Sequence, residues 1–292
     1  MRHRNENLGM GALWMLFASL SFACMGVCVK LGTAYFSSSE LVFYRCFFGL
    51  LFVTAVLLQK RMSLATAHWR SHLWRGLSGT IAMMLYFYCI STLPLASAIT
   101  LNYTSSIFLT VLTLAVYKDR FHLPLTASLT LGFIGVVLLL HPTFEREQFV
   151  SGILGLASGF FAAVALMNVR QLGLMGEPAV RVVFYFNLVA TLFSGAWMAQ
   201  TEVHPVTLNN LWLLLGLGAS ATFAQIAMTH AYRVGQTQVV STLSYSTIVF
   251  ASLFGLLLWN ETLPLDGWLG IVLIIGSGML SLRLAPTHTE AK

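Results

Sequence analysis

Charge is what this chain lacks most. Only 9% of its 292 residues are charged, against about 25% in an ordinary soluble domain, while 57% are apolar and the mean hydropathy is +0.79. Too few polar side chains remain to wet the surface of a soluble enzyme, and the chain is too apolar for intrinsic disorder. What is left is a polytopic membrane protein whose apolar surface faces lipid. Cysteine is sparse too. Cys24, Cys28, Cys46 and Cys89 all fall inside apolar runs, with neither zinc spacing nor a secreted-disulfide framework, and read as small packing residues. Carboxylates are scarce where they would matter. Glu40, Glu261 and Asp266 stand at the ends of apolar runs and no Asp or Glu lies deep in one, so the buried carboxylate that a carrier of lipophilic cations needs is missing. No P-loop is present to use ATP, and no HExxH or buried nucleophile–base pair suggests catalysis. His68 and His72 stand four apart in a basic loop without a third ligand. No catalytic residue, metal site or cofactor is expected.

What the chain has is long apolar runs. A helix needs about 20 such residues to cross the hydrocarbon, and unpaired backbone cannot sit in lipid. Ten runs qualify: 9–30, 38–58, 73–92, 94–117, 123–141, 150–171, 178–199, 210–231, 238–259 and 264–284. The first is too long, and followed by too many others, for a cleaved signal peptide. With the N-terminus placed inside, thirteen Lys/Arg fall on the inner side: Arg2, Arg4, Lys60, Arg61, Arg70, Arg75, Lys118, Arg120, Arg170, Arg181, Arg233, Arg283 and Lys292. Only Lys30 and Arg146 fall outside, and Arg45 lies within the second span. Both termini are therefore expected in the cytoplasm, and the net charge of +6 is a topology signal, not a nucleic-acid patch.

The sequence also repeats itself. Shifted by 142 residues, Thr100-Leu-Asn-Tyr103 falls on Thr242-Leu-Ser-Tyr245, Phe108 on Phe250, Leu114 on Leu256, Asp119 on Glu261 and Arg45 on Asn187. Five spans per half is an odd number, so the second half enters the membrane the other way round. The expectation is an all-α polytopic membrane protein: ten transmembrane helices as two inverted five-helix repeats, residues 1–145 and 146–292. Transporters of this kind place their site near the midplane between the halves.

Specific residues then resemble a family. Ser91-Thr-Leu-Pro-Leu-Ala-Ser-Ala98, Leu101-Asn-Tyr-Thr104 and Tyr117-Lys-Asp-Arg120 are similar to the span 3–4 signature of the EamA-type transporters of the drug/metabolite transporter (DMT) superfamily. Ala231-Tyr-Arg-Val-Gly235 through Trp259-Asn-Glu-Thr262 resembles the second copy, and Phe43-Tyr-Arg45 the start of span 2. The resemblance covers nearly the whole chain and implies small-metabolite transport by ten helices. Two departures stand out: Ser105-Ser106 where members commonly have a Pro in span 4, and Asp119 where they have Glu. The first removes the residue that would break the helix there.

Polar groups inside spans mark the candidate site, since each is costly in lipid. Arg45 reads as the one deep charge, about 10 Å below the start of span 2. It is either a bidentate clamp for carboxylate or phosphate or a structural arginine that snorkels or pairs with Glu40. Asn102, Tyr103 and Ser106 of span 4 match Ser244 and Tyr245 of span 9 in depth, which suits a cavity lining. Ser and Thr also serve as glue between helices. Tyr86 and Tyr88, with Trp14, form either an aromatic wall or a packing stripe. Gln225, Thr229 and His230 recur at helical spacing on span 8 and are expected to share one face; His230 can carry a proton or sit at the interface. Lys30 closes span 1, lining an outer vestibule or snorkelling. Gly152, Gly155 and Gly159 thin span 6 and Gly270, Gly276 and Gly278 thin span 10.

The resulting expectation is a secondary transporter. It moves a small neutral, zwitterionic or anionic metabolite, amino-acid-like above all, through a cavity lined by spans 1, 3, 4, 6, 8 and 9. The alternatives are an intramembrane enzyme acting on a lipid or isoprenoid and a channel-like scaffold. Its partners are substrate and bilayer, with no nucleic acid; it is a monomer or homodimer in a bacterial inner membrane.

Overall fold

The computed structural model describes residues 2–93, 95–117, 122–142, 149–260 and 262–284, which are helices and connecting turns without a strand. Pro94, Lys118 to Arg120, Arg146, Glu261 and Lys292 lie outside them.

Twelve helices build ten spans. They are α1 (Arg2–Gly32), α2 (Ser38–Gln59), α3 (Trp69–Thr92), α4 (Leu95–Tyr103), α5 (Ser105–Tyr117), α6 (Leu123–Leu140), α7 (Phe149–Leu174), α8 (Ala179–Met198), α9 (Leu208–Val234), α10 (Thr237–Ser244), α11 (Ser246–Trp259) and α12 (Leu265–Leu284). Nine spans are apolar enough to cross a membrane by composition alone. The tenth, α3, carries Arg70, Ser71, His72, Arg75, Ser78 and Thr80 in its first half and packs one side on α7 and α8, while Leu73, Trp74, Ile81 and Tyr88 are exposed on the other. We call the end carrying Lys60, Arg61, Arg70, Arg181 and Arg233 the basic end.

Two spans are broken in the middle. Span 4 is α4 and α5, interrupted at Thr104; span 9 is α10 and α11, interrupted at Tyr245. The missing proline is not needed. At the first break the Thr104 amide donates to Leu101 O at 3.2 Å, and its hydroxyl takes the same carbonyl at 2.5 Å. At the second the Tyr245 amide donates to Thr242 O at 3.3 Å while the Ser244 hydroxyl donates to Ser241 O at 2.7 Å. Each break is a tightened turn in which a hydroxyl competes with the i−4 amide for a carbonyl.

The two halves interlock by a two-fold exchange of partners. As α1 packs on α9 and on α10 and α11, so α7 packs on α3 and on α4 and α5. As α2 packs on α9, so α8 packs on α3, while α2 meets α8 and α6 meets α12 across the axis. Small residues allow these approaches. A Cβ on Gly135 would lie 2.7 Å from Gly270 O and one on Gly270 2.6 Å from Gly135 O, so α6 and α12 touch backbone to backbone. Ser128 adds a hydrogen bond to Ser277 O at 2.6 Å. Of the span 6 glycines, Gly155 and Gly159 bring α7 against Leu101 and the Thr104 break, whereas Gly152 faces open space.

Candidate functional site

The breaks bring two tyrosines together between the halves. Tyr103 ends α4 and Tyr245 joins α10 to α11, with ring centroids 5.9 Å apart; Phe133 of α6 lies 6.3 Å from Tyr245. Tyr245 is fully buried, and its hydroxyl, beside Ser106, makes no well-formed hydrogen bond. Around the pair, Ser106 donates to Ser241 O at 3.4 Å and lies 3.5 Å from the Ser244 hydroxyl, and Tyr232 meets the Ser241 hydroxyl at 3.2 Å. Asn102 donates to the Ser158 hydroxyl of α7 at 3.1 Å. Asn102, Tyr103, Ser106, Ser244 and Tyr245 thus form one polar seam at the junction of the halves.

A second polar group joins it through α3 and α9. Arg75, Gly79, Met83 and Tyr86 fall on one face of α3 by helical spacing, as do Gln225, Thr229 and Tyr232 on α9. Arg75 is only 4% exposed. Its guanidinium extends toward Gly79, deeper into the membrane, lies 4.2 Å over the Phe186 ring, and donates to Gln225 Oε1 at 3.2 Å. One turn further along α3, Arg45 of α2 reaches Met83 Sδ at 2.9 Å. Arg45 is therefore not the one deep charge. Arg75 counts by position as an arginine of the basic end, but its side chain runs inward, where Gln225 and the Phe186 ring hold its guanidinium.

Other sequence-predicted residues separate. Tyr86 is half-buried against Cys89, Leu93, Ala98 and Leu101, beside the seam; Tyr88, two residues on and so about 200° around the helix, is 46% exposed and points away from it. Trp14 stacks on His230 at 5.1 Å toward the basic end. His230 does not share the face of Gln225, because five residues turn it about 140° away. Lys30 lies 4.0 Å over the Trp259 ring at the opposite end, bridging α1 and α11.

Glu40, expected only as a helix-end group, and Glu177, which the sequence did not single out, prove to be buried latches. Glu40, 0% exposed, caps α2 by accepting from Ser37 N at 2.7 Å and Ser37 Oγ at 2.8 Å, and also binds His204 of the α8–α9 turn through N at 2.6 Å and Nδ1 at 2.9 Å. At the basic end Glu177, in the α7–α8 turn, accepts from Thr66 Oγ1 at 2.5 Å and Arg181 Nη1 at 2.8 Å, and lies 3.3 Å from His72 Nε2. Arg181 also holds Ser63 O at 2.7 Å. Burial works against ionisation of Glu177, and the bonds from Thr66, Arg181 and His72 outweigh it, holding its carboxyl below the usual range. Each latch ties a turn of one half to a turn of the other, at opposite ends.

Comparison with known proteins agrees with this architecture. The EamA-like transporter family matches residues 9–141 and again 150–283. The chain is 30% identical to the pseudopaline exporter of Pseudomonas aeruginosa over 93% of its length and 95% of the relative's, and 27% identical to a riboflavin transporter of Vibrio cholerae over 91% and 90%. A crystal structure superposes with a TM-score of 0.84 over 95% of this chain and 98% of the other at 19% identity, which shows the fold. The chain is a multi-pass small-molecule transporter and belongs to the EamA-like transporter family of the DMT superfamily.

Proposed function

We propose that this chain is a secondary carrier that moves a small neutral, zwitterionic or anionic metabolite by alternating access, rather than an enzyme or a channel. The observation that carries this reading is the meeting of two broken spans, with Tyr103 and Tyr245 5.9 Å apart between interlocked halves. Broken helices frame midplane sites in alternating-access carriers because their interrupted ends free polar groups that continuous helices consume. The halves are residues 1–145 and 146–292. The latches Glu177–Thr66/His72 and Glu40–His204 close opposite ends, so opening one while the other holds exposes the seam to one side at a time. Both termini lie in the cytoplasm, at the basic end. Amino-acid-like cargo suits a seam of tyrosine, amide and hydroxyl groups with guanidinium nearby.

Counterflow in proteoliposomes loaded with an amino-acid mixture tests the reading. Saturable exchange of labelled amino acid is expected. Unsaturable flux would indicate a channel, and conversion of an added lipid to product would indicate an enzyme. A reporter fused at Lys292 should score cytoplasmic; a score on the other side overturns the orientation.

A further inference from the structure

Where α2, α3, α8 and α9 cross, four buried side-chain atoms have no partner among the described residues: Arg45 Nε, Arg75 Nε, Asn187 Nδ2 and Thr191 Oγ1. Three of them can only donate a hydrogen bond, and the hydroxyl can do so. Register places them together. Arg75 reaches Gly79 and Arg45 reaches Met83, four residues or about 6 Å further along the same face of α3. Phe186, beneath the Arg75 guanidinium, is the neighbour of Asn187. Gly49 of α2 lies against the Asn187 amide. Arg45 is one turn from Gly49 and Thr191 one turn from Asn187; the two helices are antiparallel, so Arg45 and Thr191 share a level.

Among the described residues, every partner of the two guanidiniums is neutral: a thioether, an amide oxygen and an aromatic ring. The described carboxylates are elsewhere. Glu40 and Glu177 are latched to histidines, Asp266 pairs with His141 at 3.2 Å, and Glu202 is exposed. Two positive charges a helical turn apart, Arg75 buried and Arg45 half-buried with its Nε enclosed, repel each other and have no carboxylate beside them among the described residues, the counter-charge that buried ions require. Surplus donors with surplus positive charge call for a ligand rich in acceptors and doubly negative.

We infer that Arg45 and Arg75, with Asn187 and Thr191, form the recognition clamp for a dianionic cargo, one bearing two carboxylates or a phosphate group. This rests on the carrier reading and narrows its cargo. Planar forks suit such oxyanions and Lys cannot replace them. Asn187 takes the place of Arg45 in the second repeat, so charge is concentrated on one side of the pseudo-symmetric site, which fixes the orientation of an asymmetric cargo.

The test is the melting temperature of the purified full-length protein in detergent at constant ionic strength. Chloride is replaced in turn by succinate, phosphate or acetate, with choline chloride as the cationic control. Succinate or phosphate should raise the melting temperature by at least about 3 °C, as for a ligand well above its dissociation constant; the stronger of the two identifies the group. Acetate and choline should leave it unchanged. Arg45→Gln and Arg75→Gln should each abolish the rise while melting in chloride at or above the wild-type temperature, because one of two repelling charges is gone. An equal rise in both variants would reveal a general salt effect and overturn the clamp. So would lower melting of both variants together with no dianion response in the wild type, the signature of structural arginines. Counterflow separates the two levels: amino-acid exchange unaffected by either substitution keeps the carrier and removes the clamp. A variant-sensitive dianion shift with no saturable exchange of labelled amino acid, succinate or phosphate keeps Arg45 and Arg75 as a dianion-binding site and removes both the carrier and the cargo role that rests on it.

Discussion

At the scale of single residues, Tyr245 and Asn102 define the sharpest tests of the seam. Tyr245 packs on Tyr103, Phe133 and the open face of Gly132, whose Cβ would lie 2.9 Å from the ring. Truncation to Ala would leave a cavity costing about 3–5 kcal/mol, so loss of transport would report instability as much as binding. Tyr245→Phe keeps the packing and deletes a hydroxyl that has no well-formed bond, so stability should be unchanged or slightly higher. Transport should nevertheless fall about tenfold if the hydroxyl meets cargo, and unchanged initial rates would move the site away from it. Asn102→Ala gives up one bond to Ser158, about 0.6 kcal/mol in a membrane interior, and should fold while transporting poorly. These positions were legible in the sequence because a polar cluster recurs at the 142-residue shift. Arg75 was not, since near the end of an apolar run a snorkelling arginine and an inward one are spelled alike. Only the placement of Gly79, Gln225 and Phe186 shows which way its side chain runs.

At the scale of elements, the glycine face of α7 sets how closely the broken span can approach. Gly159→Ala would bring a Cβ within 2.8 Å of Leu101 O and closer still to Thr104 Oγ1, whereas Gly152→Ala meets nothing within 4 Å. The first should lower stability by about 1–3 kcal/mol and shift transport, and the second should do neither. Equal melting temperatures for the two would mean that α7 does not support the break. The sequence marks all three glycines alike; which of them matter depends on the neighbouring helix. The breaks themselves were hidden for a related reason. Ser and Thr are tolerated throughout transmembrane helices, and their competition for a carbonyl becomes a break only where tertiary contacts reward it.

At the scale of the whole molecule, the paired latches should set the balance between the two facing states. Glu177→Gln removes the charge that Thr66, Arg181 and His72 stabilise, at about 1–3 kcal/mol for a buried charged hydrogen bond. It should raise labelling of single cysteines in the seam from the basic end, while Glu40→Gln raises it from the other. Identical labelling patterns would show that the latches are structural ties. Because the folded carboxyl of Glu177 titrates below its unfolded value, its contribution is complete above the unfolded pKa of about 4.3 and is lost as pH falls through the lower folded one. Stability should therefore show no loss from this group between neutral pH and about 5, and acid loss below about 4 should be smaller in Glu177→Gln. By itself the sequence determined the membrane class, the number of spans and their two-fold repetition, because these follow from apolar length and internal periodicity, both written along one dimension. The tertiary structure alone decided which way Arg75 points and that Glu40 and Glu177 bind across the halves. Each of these depends on what stands opposite a side chain in space, and residues such as Arg75 and Gln225, 150 positions apart, carry no mark of one another in the chain.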